Sequence, residues 1–285
     1  MSTFTIPTEI AVGTTDDLVP GGRLDALRAL TGRRLSLSLR NPRAILLPLA
    51  TPLLIALVIA PALAKVAGPV NGIDYMTYLA IGTAGLVVPL SAMQAGLGVI
   101  VDRKSGAQPD LLAAPIPRPL LVLANLLAAL VASGLQLAVL VTFSTIRGAT
   151  FQASGAGLAW FAGAAVALAV ATYGIAETMA NRIGEEEEYV NTIPTIGIAP
   201  WFFAGSLFSI NALPGWLTFL AKLLPVTHAV ALMRYGAGLH AADLHAIWGL
   251  SDPTVMAALS LGVLVLYAAG FMYLAVRVFI AKTVH

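Results

Sequence analysis

A chain of 285 residues that is 58% hydrophobic and only 11% charged does not have the surface of an ordinary soluble domain, in which about 25% of residues are charged. A net charge of +2 gives no electrostatic basis for nucleic-acid binding. The absence of cysteine excludes disulfides, thiolate metal sites and thiol catalysis. What remains is a polytopic membrane unit.

Residues 1–21 are polar, carry Asp16 and Asp17, and have no helical or strand period. They read as a flexible cytoplasmic tail, not a signal peptide, because no basic segment leads into an apolar core. Residues 22–43 mix Leu24, Leu27 and Leu30 with Arg23, Arg28, Arg33, Arg34 and Arg40. That pattern predicts a basic helix lying on the cytoplasmic leaflet, although Leu35-Ser36-Leu37-Ser38-Leu39 alternates as a strand would.

Charge-free intervals follow at Ala44–Ala64, Tyr75–Val101, Pro119–Ile146, Gly148–Ala176, Tyr189–Ala221 and Pro253–Val276. Each reaches the roughly 20 residues needed to span a bilayer. The expected fold is therefore all-α, with six transmembrane helices forming one permease domain over residues 44–285. Pro48, Pro52, Pro61 and Pro89 should kink the first two spans. Between Thr192 and Gly238, Pro194, Pro200, Pro214 and Pro225 each remove a backbone donor. The fifth span should end near Asn211, and residues 216–235 should form a re-entrant or external helical element before span six. Broken backbone at membrane depth persists only against protein or a cavity, so this region is expected to line a pathway.

Orientation follows from the basic residues. With the N-terminus inside, only Lys65, Arg147, Lys222 and Arg234 of the 16 Lys and Arg fall outside. This bias places both termini in the cytoplasm.

The loop between spans two and three is the most informative polar segment. It runs from Asp102-Arg103-Lys104-Ser105-Gly106 through Pro109, Asp110, Leu111 and Leu112 to Pro115, Pro117 and Arg118. Pro109 can open a helical turn with Asp110 near its positive end, and the later prolines stop it. Leu111 and Leu112 then offer an apolar face to a partner groove, or a turn resting on headgroups.

In this order of features the chain resembles the ABC-type-2 permeases, the membrane subunits of exporters of the daunorubicin-resistance type. The resemblance is carried by Gly106 and Leu111-Leu112-Ala113-Ala114-Pro115-Ile116-Pro117-Arg118, by Arg40-Asn41-Pro42, and by Pro200-Trp201-Phe202-Phe203-Ala204-Gly205-Ser206-Leu207-Phe208. Leu213-Pro214-Gly215-Trp216-Leu217, Leu224-Pro225-Val226-Thr227-His228 and Met233-Arg234-Tyr235 complete it. It covers about residues 30–280, and departs from the family at Lys104, where an acidic residue is common. The resemblance implies a separate cytoplasmic ATPase seated on residues 102–118, which would bind the ATP and magnesium. It also implies a second permease copy or paralogue, and export of amphipathic drugs or lipids across the inner membrane. The chain itself has no G-x-x-x-x-G-K-[ST] motif, so no cofactor is expected on it.

Glu185-Glu186-Glu187-Glu188 precedes span five, where negative charge suits a helix N-terminus; it reads as a solvated cap or as a second ATPase contact. Glu177, near the end of span four, reads as a paired or snorkelling acid, with a proton carrier as the alternative. His240, Asp243, His245 and Asp252 share the last external loop, but the two histidines are not at the i, i+4 spacing of a helical zinc site. Met93, Gln94, Trp201, Phe202, Phe203, Phe208 and His228 are candidates to line the pathway, with packing as the alternative. Gly155-Ala156-Gly157 and Ala162-Gly163-Ala164 permit close helix approach. An ion-coupled transporter would need midplane ionisable groups, and spans one, two, three, five and six have none. A permease for lipid-linked glycans stays open as an alternative cargo class. An intramembrane enzyme would need a nucleophile–base pair or a carboxylate cluster, which the sequence does not offer.

Overall fold

The computed structural model describes residues 22–40 and 42–283. The expected tail, residues 1–21, lies outside the described residues, as do Asn41 of the Arg40-Asn41-Pro42 stretch and the last two residues. Among the described residues the structure is all-helical and has no extended strand.

The basic segment forms one helix, α1 (Gly22–Arg40), with Asp25 in its first turn and Arg40 in its last, both favourable to the helix dipole. The alternation at residues 35–39 does not become a strand; Ser36 and Ser38 return their hydroxyls to the carbonyls of Arg33 and Arg34. The first apolar interval is α2 (Pro42–Leu54), a wide π turn at Ile55–Ile59, and α3 (Ala60–Ala64). The second apolar interval, α4 (Tyr75–Lys104), is capped by Asp74, whose carboxylate accepts from the backbone N–H groups of Met76 and Thr77. A short helix α5 (Ala107–Ala113) leads into α6 (Arg118–Ile146). Ser154 caps α7 (Gly155–Arg182).

The fifth interval is the broken one. It comprises α8 (Glu186–Ile193), a second π turn at Pro194–Ile198, and α9 (Ala199–Phe203). A loop through Gly205 (φ 77°) and a single 3₁₀ turn then lead to α10 (Gly215–Leu223). Next come α11 (Pro225–Gly236), α12 (Ala242–Trp248) and α13 (Pro253–Thr283). Both π turns have the same cause. Pro61 and Pro200 each follow a π turn by two residues, and each lacks an N–H and would drive its ring into the carbonyl four residues back. Widening that turn to an i→i+5 bond, Ala60 to Ile55 and Ala199 to Pro194, removes the collision without ending the helix.

Among the described residues, four helices are long and apolar enough to cross a membrane: α4, α6, α7 and α13. The α10–α11 pair passes the same test only as one unit bent by 81° at Leu224, and residues 48–64 form a shorter apolar helix. The bend has a covalent origin, since Leu224 precedes Pro225 and adopts an extended conformation (ψ 131°).

Helices α4 and α7 form the centre. The most apolar stretch of α4 is 72% buried within the protein, against 28% for α13, which runs along the periphery. α7 packs on α13, α4 and α11. Its approach to α11 needs glycine on both sides: a Cβ on Gly236 would lie 2.6 Å from the carbonyl oxygen of Gly157, and one on Gly157 would strike the carbonyl of Gly236. α1 lies across α6 and α2.

Candidate functional site

Arg33, Arg34, Arg103, Lys104, Arg118 and Arg182 come together at one end of the bundle, the end where α4 finishes and α7 gives way to α8. Three elements are tied there through the last turn of α4. Asp102 accepts from Arg34 Nη1 (2.9 Å) and Arg33 Nη2 (3.3 Å), which joins α1 to α4. Arg103 donates to the carbonyls of Ala180 (3.0 Å) and Ile183 (2.7 Å), satisfying acceptors at the C-terminus of α7. Lys104 Nζ meets Glu185 Oε2 at 2.6 Å, which joins the end of α4 to the acidic turn before α8. The hydrogen bond from Lys104, and then its charge, hold the Glu185 carboxyl below the usual carboxylate range. Glu186, Glu187 and Glu188 form the first turn of α8, where its dipole favours them.

Gly106 turns the chain in the left-handed region (φ 79°) and α5 then runs for seven residues, ending before Pro115. Pro109 lies inside its first turns and Asp110 beside it, both exposed. Leu111 and Leu112 do not form an outward apolar face. Both are half-buried and pack, with Leu30 and Ile116, on a cluster containing Leu121, Val122 and Phe279. The free edge of this segment is instead Ser105, Gly106, Pro109, Asp110, Ala113 and Pro115. The sequence period shows that an apolar pair exists, but not which side of a two-turn helix the bundle occupies. Arg118 is half-buried at the start of α6.

This arrangement, with a short exposed helix clamped beside an acidic turn at the basic end of a helical membrane bundle, coincides with a family match. Residues 25–237 match the family model for the ABC-2 type transporter. The chain belongs to the ABC-2 type transporter family. Membership makes this ABC-2 chain a multi-pass membrane component of an ABC transport system. No curated protein matches the sequence.

The pathway candidates of this ABC-2 chain separate into three groups. Gln94 lines a cavity of about 440 Å³ between α1, α4 and α6. Met93, Trp201 and His228 are packed elements. Met93 is fully buried and its carbonyl accepts from the Tyr189 hydroxyl (2.7 Å). Trp201 is 2% exposed and donates to the carbonyl of Gly82 (2.7 Å), fixing α9 to α4. His228 is bonded to the Lys222 carbonyl and to Ser260, beside the Trp248 ring. Phe202, Phe203 and Phe208 form the third group and are exposed on the outer face of the broken segment.

Glu177 is buried and doubly bonded within its own helix: Tyr173 donates to one oxygen (2.6 Å) and Asn181 to the other (2.9 Å). Arg182, five residues on, is exposed. In the last loop, Asp243 is committed to Arg234 and Asn71, and Asp252 caps α13. His245 bonds the Leu250 carbonyl. Among the described residues no group of three or more His, Asp or Glu is placed to hold a metal ion.

Sequence reasoning missed one cluster. Arg234, 1% exposed, sits 3.4 Å from the centre of the Tyr78 ring. It donates to the carbonyls of Gly205, Tyr78 and Ser206 and forms an ion pair of 2.7 Å with Asp243. In the sequence Arg234 stands out as one of the few basic residues on the far side and as part of the Met233-Arg234-Tyr235 stretch, neither of which points to its partners. A lone arginine in an apolar stretch was the available signal, because a buried charge requires a partner.

Proposed function

We propose that this chain is the permease subunit of an ATP-driven exporter of amphipathic compounds, seated on a separate cytoplasmic ATPase. In this reading α2–α3 and the α8–α9 run complete a six-span set with α4, α6, α7 and α13, and α10–α11 is the re-entrant element on the far side. The basic end faces the cytoplasm, in keeping with the positive-inside rule. The observation that carries the reading is the clamp itself: in an ABC-2 chain, Arg103 and Lys104 lock the C-terminus of α7 and the acidic turn before α8 to the end of one helix, α4, from which α5 follows directly through Gly106. A force on either surface is transmitted to the most buried helix of the bundle. ATP and magnesium would reside on the partner chain. A second permease copy or paralogue would supply the other half of the pathway, with the exposed face of Phe202, Phe203 and Phe208 available to it.

The test is co-purification with the ATPase encoded beside this chain, comparing wild type with the double substitution Asp110→Arg and Ala113→Glu. Both positions are exposed, so the fold is expected to be unaffected and ATPase retention to fall at least about tenfold, the loss of roughly 1.4 kcal/mol of contact energy. A wild-type chain that retains no ATPase, or a variant that retains it fully, overturns the docking surface.

A further inference from the structure

The cavity between α1, α4 and α6 begins at Arg33, Arg34 and Asp102 and reaches inward along α4 past Gln94 to Ser91. At 1.5 Å per residue that is about 16 Å from the charged mouth, well inside the apolar part of the helix. Its volume of about 440 Å³ falls in the range that holds a small-molecule ligand. Much of its wall is alanine, leucine and valine, yet several polar side chains face it.

Three of those polar side chains, Ser91, Gln94 and Asn125, have no hydrogen-bond partner among the described residues. Ser91 is 3% exposed and its Oγ makes no hydrogen bond among the described residues. Thr83, two turns earlier on the same helix, shows the usual alternative by returning its hydroxyl to the Leu79 carbonyl. Asn125, across the cavity on α6, and Gln94 are half-buried, and no hydrogen bond to another described residue engages either side-chain amide. Unpaired amides and hydroxyls inside a membrane span are costly, so an occupant that bonds them is favoured.

The charges at the mouth define what that occupant is. Arg34 is fully engaged, with Nη1 on Asp102 and the Gly98 carbonyl, and Nη2 on the Ala95 carbonyl. Arg33 shares the same carboxylate. Glu186 is the second acid on the wall, so two cations face two anions and neither sign is in excess. Serine, asparagine and glutamine each donate and accept, which a hydroxyl-bearing head group matches. An anion only accepts and an ammonium only donates, so each would leave half of that set unmet.

Resting on the exporter reading above, we propose that this cavity binds the head group of an uncharged, hydroxyl-bearing amphiphile, of which an alkyl glycoside is the simplest case. Ser91, Gln94 and Asn125 hold the hydroxyls, while the apolar wall takes the start of the chain.

The test needs neither ATP nor a partner ATPase, so its failure is separate from failure of the transport reading. The full chain in lipid nanodiscs is photolabelled with a decyl glucoside carrying a diazirine on its chain. Decyl phosphate and decyltrimethylammonium carrying the same group are compared at matched membrane content. We expect saturable labelling of α4 and α6 by the glucoside alone, competed by unlabelled decyl glucoside. Gln94→Leu and Asn125→Leu should each weaken it about fivefold, the effect of losing one hydrogen bond. Ala132→Phe, which projects a ring into the cavity, should abolish it. Equal, non-saturable labelling by all three probes means the cavity holds only water or bulk lipid, and preference for a charged probe means the head-group class is wrong; either result overturns the proposal. If a leucine variant lowers the unfolding temperature, the head-group competition on wild type decides alone.

Discussion

The two ends of α4 each hold an arginine–aspartate pair, and they are built differently. At the far end Arg234 is 1% exposed, paired with Asp243, stacked on Tyr78 and bonded to three carbonyls from the loop after α9 and the start of α4. Three elements, α4, the loop after α9 and α12, close around one cation on α11. At the basic end, Asp102 is shared between Arg33 and Arg34, on a helix that lies against the bundle and borders an open cavity. Arg33 is itself 36% exposed there. A buried cation whose two terminal nitrogens are bonded to four acceptors fixes a structure, whereas a shared, partly hydrated carboxylate permits rearrangement at modest cost. The far end is therefore the fixed point of the bundle, and the basic end is where α1 and the α5 segment can move.

Removing the fixed point should have the largest effect. Arg234→Ala leaves Asp243 buried without its cation and should cost roughly 3–5 kcal/mol, read as a lowered unfolding midpoint in detergent. Arg234→Lys should rescue little, because one ammonium cannot span four acceptors and the Tyr78 face. An Arg34→Ala variant as damaging as Arg234→Ala would erase the distinction between the ends. Next in size is Gly236→Val, which forces α11 off α7 beside the same cluster and should cost about 1–3 kcal/mol by overpacking.

Asp102→Asn should cost less, about 1–2 kcal/mol, since it weakens charged hydrogen bonds to side chains that still reach water. Its signature is local: amide exchange in α1 should speed up while α11 stays protected. Uniform loosening of both would mean that the basic end is as rigid as the other.

The smallest effect belongs to Lys104→Ala, which breaks an exposed contact and should leave stability unchanged. It should instead move the Glu185 titration up to the ordinary carboxylate range. A carboxyl whose folded pKa is lowered stabilises the folded state above its unfolded value and loses that contribution as pH falls through the lowered value. In wild type the link between the end of α4 and the acidic turn before α8 should therefore persist at neutral pH and open only in acid below the usual carboxylate range. Carboxyl NMR of Glu185 would contradict this if its titration were unaffected by the substitution.

Much of this architecture was legible in the residues. The basic helix before the first apolar interval, the short helix after Gly106, the break near Pro214 and the dipole-matched glutamates were all read from composition and turn chemistry, which act locally. The direction in which Leu111 and Leu112 point was not legible, because a seven-residue helix has too few turns to mark its buried side. The fifth interval was legible only in part. Its prolines marked it as broken, but the sequence alone did not show that Pro200 would be absorbed by a π turn while Leu224 would bend the next pair by 81°.

By itself the sequence determined that this protein is helical and membrane-embedded, because span length, charge segregation and proline positions are properties of the chain read along its length, and its ordered motifs carried the match to the ABC-2 family. Only the tertiary structure decided the rest. It placed Arg234 on Tyr78, 156 positions away, and set Lys104 against Glu185, 81 positions away. It also left Ser91, Gln94 and Asn125 facing one cavity without hydrogen-bond partners among the described residues. Partnerships of this kind depend on how helices pack against one another, and a hydrophobic period fixes which face is buried without fixing what it is buried against.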